Sequence, residues 1–95
     1  MSYSLVFSLH AVESFDAIKS QLLEKWGIKI VSNFEKRTIK VLETISISPL
    51  IFQGVKHAPQ IRKGFIHKNC SVFYEIKQDH INILFFWDNR QEPLF

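Results

Sequence analysis

Ninety-five residues, 46% hydrophobic and 22% charged with three Gly and three Pro, suffice for one domain with one modest core, and are too apolar for a disordered chain. The net charge of +3 is mildly basic, which suits a nucleic acid or an acidic protein partner and selects neither. A lone cysteine, Cys70, excludes an internal disulfide and a thiolate zinc site, and His10, His57, His67 and His80 lack ligand spacing, so no metal or cofactor is expected.

Residues 3–7 alternate Tyr3, Leu5 and Phe7 with Ser4 and Val6, which predicts a short strand. The opening MSYSLVFSLH has no basic head before a long apolar run, and the longest apolar run, residues 83–87, is too short to cross a membrane. A cytoplasmic protein is the expectation. Ser8 is placed to cap the next element. Val12, Phe15, Ile18, Leu22 and Trp26 then recur at steps of three and four, one stripe of a helix with Glu13, Asp16, Lys19 and Glu24 facing water. Gly27 can close that helix in the left-handed conformation. A second stripe starts at once: Val31, Phe34, Thr38, Val41 with Leu42, and Ile45. The two helices therefore form an antiparallel hairpin. Lys36, Arg37 and Lys40 read as the wet face of the second helix. Pro49 stops it, with Ile47 and Ser48 expected to be extended already.

Residues 49–59, PLIFQGVKHAP, read as a loop lying on the core. Extended runs follow at 60–67, 70–77 and 81–87, joined by turns at Lys68-Asn69 and at residues 78–80. The last run, INILFFW, is apolar on both faces and belongs in the middle of a sheet. It turns polar at Asp88, and Pro93 ends pairing. The order β-α-α-β-β-β predicts one α+β domain over residues 1–95, a helical hairpin packed on one face of a mainly antiparallel four-stranded sheet. In the run 70–77, Cys70, Val72, Tyr74 and Ile76 make the better core face. Ser71, Phe73 and Glu75 are then expected on an open face, with Phe86 and Phe95 as further exposed aromatics that mark a partner surface.

Four stretches, YSLVFSLHAVESFDAI, SNFEKRTIKVLETI, IRKGFIHKNCSVFYEI and INILFFWDNRQEP, resemble in this order the RelE/ParE superfamily. These are the toxins of type II toxin–antitoxin modules, also described as plasmid stabilisation proteins. The Ile-x-Ile-Leu, Asp-x-Arg and terminal Pro of the last stretch are the most diagnostic part. The resemblance implies one of two activities. RelE-like members cut messenger RNA on the ribosome without a metal: the ribose 2′-hydroxyl attacks the adjacent phosphorus, which requires a base, an acid and positive charge for the phosphorane. ParE-like members inhibit DNA gyrase.

Carried over by position, Arg90 falls at the family's arginine after the last strand. Arg62 and Lys63 stand near the basic positions of the first hairpin strand, and His67 or Lys68 adds charge at its tip. His67 or His57 offers an acid or base. Ser71 stands where RNA cutters place an arginine, and Phe95 where they use a tyrosine, so the nuclease set is incomplete. The resemblance thus implies a ParE-like, growth-inhibiting toxin neutralised by a cognate antitoxin, with a RelE-like ribosome-dependent endoribonuclease using Arg90, Arg62 or Lys63, and His67 as the alternative. A member that binds antitoxin alone is a third reading. Phe73, Phe86, Phe95 and Arg90 are expected to dock the antitoxin, whose disordered tail folds onto the toxin. Each candidate also has a plainer reading. Arg90 can pair with Asp88 or Glu92, Arg62 and Lys63 can protect a strand edge, and His67 can simply flank a turn. Adjacent strand residues point to opposite faces, so at most one of Arg62 and Lys63 shares a face with Arg90.

Overall fold

The computed structural model describes residues 2–90. Strand β1 (Ser4–Phe7) stops at Ser8, whose Oγ accepts the Ala11 N–H at 2.9 Å and starts helix α1 (Leu9–Trp26). Gly27 closes α1 and opens helix α2 (Ile28–Ile47): its N–H donates to the Leu23 carbonyl, and its own carbonyl accepts from Val31. Its φ is +87°, a conformation that strains any side chain, so this direct turn from helix to helix needs glycine. α2 runs one residue further than expected. The steric restriction imposed by Pro49 falls on Ser48, at φ −132° and ψ 73°, and leaves Ile47 helical.

The rest of the chain forms β2 (Gly54–Val55), β3 (Ala58–His67), β4 (Cys70–Ile76) and β5 (His80–Asp88). The sheet order is β1-β5-β4-β3-β2, with β1 parallel to β5 and the other neighbours antiparallel. The sheet therefore has five strands rather than the expected four. The additional one, β2, is two residues long, too short for any alternation to show within the loop sequence. β5 sits between β1 and β4, as its two-faced apolar composition requires.

The hairpin packs on one sheet face. Ala11, Phe34 and Ile45 from the helices meet Ile66, Cys70, Val72, Tyr74, Ile81, Ile83 and Phe86 from the strands. Phe15, Ile18 and Leu22 pack partly buried against this cluster. Two members of the expected α1 stripe stay outside it: Val12, 48% exposed, lines a cleft between α1 and α2, and Trp26, 66% exposed, ends α1 at the hairpin tip.

A bulge in β5 changes which aromatics face the helices. Phe73 pairs with Phe85 and Tyr74 with Ile83, so Leu84 is an extra residue on β5. The insertion shifts the alternation by one. Ile81, Ile83 and Phe86 all enter the helix-side core, whereas strict alternation puts Phe86 opposite Ile83. Phe86 is accordingly 4% exposed and packs on Phe15 at 4.9 Å, not on an open face. Phe73 does lie on the far face, but it is 2% exposed, stacked on Phe85 at 4.8 Å with the Lys63 ammonium 5.9 Å from its ring centroid. The exposure expected of these two aromatics is thus absent, and Phe95 lies outside the described residues.

β5 also outruns β1, whose last paired residue is Phe7 opposite Ile83. Beyond that point α1 takes over the strand's outer edge. Ser8 Oγ donates to the Leu84 carbonyl at 2.6 Å, and Ser14 Oγ accepts the Phe86 N–H at 2.8 Å. Replacing Ser14 by Ala strands the Phe86 N–H in a partly buried site and should lower stability by about 1–2 kcal/mol. Urea denaturation checks this, with Ser20→Ala on the exposed side of α1 as the control that should not change.

Candidate functional site

The turn between β3 and β4 and the end of β5 meet at one end of the sheet. His67 pairs with Cys70 and Cys70 with Asp88, so these three form one row across the strands. Asn89 ties the row together: its N–H donates to the Asn69 carbonyl at 2.8 Å, and its Oδ1 accepts from Ser71 Oγ at 3.0 Å. Ser71 is therefore a buried brace for the strand end.

Arg90 folds back onto Asp88. Its Nε lies 2.9 Å and its terminal nitrogen 2.6 Å from the two carboxylate oxygens, and its backbone N–H donates to the same group at 2.9 Å. This two-pronged geometry is the strong form of a charged hydrogen bond. Arg90 holds the Asp88 carboxyl below its ordinary 3.8, chiefly through the side-chain hydrogen bonds, and Asp88 raises the arginine in return. Lys25, in the last turn of α1, also bears on Asp88. The plainer reading of Arg90 is thus the observed state, although its side chain remains 47% exposed.

The other candidates do not converge on Arg90. Arg62 donates to the Phe52 carbonyl at 2.8 Å, beneath the loop that precedes β2. Its cross-strand partner Tyr74 donates to the Pro49 carbonyl at 2.6 Å, and burial pushes that phenol up to about 12. Arg62 and Tyr74 therefore hold the loop down. Tyr74 is four positions along β4 from Cys70, about 13 Å at the usual rise per residue, so Arg62 sits well away from the row of His67 and Asp88. Lys63 points to the opposite face, over Phe73. His57, in the left-handed region at φ 70°, lies between β2 and β3, and the full length of β3 separates it from His67. His67 shares the sheet end with Arg90, and its Nδ1 accepts the Asn69 N–H at 3.3 Å. Burial pushes the Cys70 thiol up to about 12, so it is no nucleophile at neutral pH.

One feature of this end is not visible from the helical stripe. Lys36, Arg37 and Lys40 of α2 come beside His67 of β3 around a groove of about 510 Å³, floored by Leu22, Ile30 and Phe34. Arg37 spans its wall, donating from Nε to the Ile66 carbonyl on β3 and lying 6.0 Å from the Phe65 ring centroid. The cations appear in the sequence as an ordinary wet helix face. Only the packing of α2 beside β3 brings a second basic element to them. Among the described residues, no three His, Cys, Asp or Glu side chains gather as metal ligands, and no helix is long and apolar enough to cross a membrane.

No protein-family model matches the chain, and no curated protein matches its sequence. The likeness to known proteins is in three dimensions. The chromosomal ParDE TA system from P. aeruginosa aligns with a TM-score of 0.76 at 17% identity, over 92% of this chain and 96% of that one. The YoeB dimer from Staphylococcus aureus aligns at 0.64 and 16% identity, over 92% and 97%. An E. coli toxin RelE mutant, in complex with an antitoxin RelBc peptide, aligns at 0.59 and 18% identity, over 98% and 87%. A helical hairpin on one face of a mixed sheet is the architecture common to all of them. It is the RelE/ParE-like fold, the one to which the four sequence stretches point.

The Asp88–Arg90 pair sets a pH dependence. Because the folded carboxyl titrates below its ordinary 3.8, its stabilisation is present above that pH and is lost as the pH falls further. In urea denaturation between about pH 5 and pH 3, wild type should lose stability more steeply than Asp88→Asn. Parallel curves would show that the pair adds nothing to the fold.

Proposed function

We propose that the chain is the toxin of a type II toxin–antitoxin pair, that it acts in the cytoplasm, and that it arrests growth by binding a protein target, DNA gyrase, rather than by cutting RNA. The toxin class is supported by the fold shared with ParDE, YoeB and RelE, at a higher TM-score for ParDE than for RelE. The choice of a binding mode rests on one observation: Arg90, the arginine nearest to a nuclease role, is occupied by Asp88. Stabilising a phosphorane takes a cation aimed at the developing charge, with an acid and a base within hydrogen-bond reach. Here Arg62 holds a loop and Lys63 faces the other way. Arg90 and His67 are left as the two residues a ribonuclease reading retains, since they share one end of the sheet.

A co-expressed antitoxin suits the exposed apolar residues of the helical side. Leu9, Leu23, Trp26, Ile28, Ile39 and Ile47 are each more than 50% exposed and offer apolar contacts to such a partner. Arg90, exposed at the strand end, offers such a partner a charged contact.

Expression without a partner should arrest growth, and the purified protein should inhibit supercoiling by gyrase. A reconstituted translation reaction should yield intact message, and Arg90→Ala should leave the arrest in place. New RNA ends inside codons, dependent on ribosomes and lost in Arg90→Ala, would overturn the binding mode in favour of cleavage. Soluble protein that leaves growth untouched would overturn the toxin reading itself.

A further inference from the structure

We propose that the cleft between α1 and α2, beside the end of β1, binds a small aromatic amine: one aryl ring carrying an ammonium on a short arm. The inference rests on this cleft alone and is independent of the toxin reading. Phenyl rings from three elements line the cleft, Phe7 of β1, Phe15 of α1 and Phe86 of β5, and Leu42 of α2 adds to the apolar wall. Thr38, also in the lining, donates its hydroxyl to the Phe34 carbonyl at 2.8 Å and so has no proton to spare for a ligand. Walls of this kind accept a flat apolar group. The cleft holds about 220 Å³. An apolar cavity of about 150 Å³ takes up benzene, so there is room here for a ring and a short arm.

Charge decides the other half of the ligand. The chain as a whole carries +3, yet the charged residues lining this cleft are Asp16 and Glu35. Glu35 meets the Lys19 ammonium at 3.3 Å, and that ammonium also lies 5.3 Å from the Phe15 ring centroid. The chain's own lysine thus displays the arrangement in question, a cation held between a carboxylate and an aromatic face. Asp16 is exposed and forms no ion pair among the described residues. It leaves one carboxylate of the cleft uncompensated, so a ligand ammonium is favoured there and an anion is not. A metal ion is a poorer match, because no third His, Cys, Asp or Glu joins the two carboxylates among the described residues.

The test titrates the full chain with 2-phenylethylamine at pH 7, read by amide chemical shifts. Binding should saturate with a Kd below about 1 mM, and the shifts should cluster on α1 and α2 around the cleft. Ethylamine, which lacks the ring, and 3-phenylpropionate, which reverses the charge, should not saturate. Asp16→Asn should weaken binding about threefold or more, whereas Asp79→Asn, on the turn between β4 and β5, should bind as wild type does. Lys19→Gln frees the Glu35 carboxylate and should bind more tightly. Val12→Lys sets a competing ammonium one helical turn from Asp16 and should abolish binding. Asp16 and Val12 are exposed, so these variants should keep the wild-type circular dichroism spectrum and melting curve. Four outcomes would overturn the proposal: no saturation by the amine, equal binding of 3-phenylpropionate, unchanged affinity in Asp16→Asn, or binding of a Phe-Lys peptide without binding of the free amine.

Discussion

β5 is nine residues long and its outer neighbour β1 is four, so a central strand loses its partner halfway along. Buried backbone groups must be paired, and on that stretch the pairing comes from α1. Ser8 takes the Leu84 carbonyl and Ser14 takes the Phe86 N–H. The capping serine before α1 and a serine in its second turn thus continue the edge of a sheet, which fixes how α1 lies against it. The rest follows in order. Gly27 turns the chain straight into α2, and Phe15 packs between Phe86 of the sheet, tilted at 4.9 Å, and Phe34 of α2, stacked at 5.4 Å. The aromatic contacts run unbroken through all three elements. α2 is thereby set beside β3, and the basic groove exists because of that placement.

The cations divide into those engaged in the fold and those directed at solvent. Arg62 holds a loop, Arg37 covers a strand-edge carbonyl and Arg90 is paired with its neighbour but one. The arginines are used where a planar, many-donor group is needed to satisfy oxygen atoms. Lys36 and Lys40 of α2 are exposed and form no ion pair among the described residues.

Periodicity and punctuation determined much of this protein from its sequence. The stripes through Phe15 and Ile18 and through Phe34, Thr38 and Ile45, the break at Gly27, the cap at Ser8 and the two-faced apolar run of β5 each reflect a local preference of the backbone or a rule of burial. Local rules can be read from neighbours in the chain. The alternation of Cys70, Val72 and Tyr74 was legible for the same reason. Tertiary structure alone decided three things. A single extra residue at Leu84 reversed the face of Phe86, because alternation counts residues and a bulge adds one. β2 formed from two residues because β3 offered them an edge. The lysines of α2 met His67 through the packing of segments far apart in the chain, whereas Arg90 met Asp88 within the local turn that the sequence already offered. The sequence supplied the cations; which of them are held within the fold and which look outward was settled by which strands and helices became neighbours.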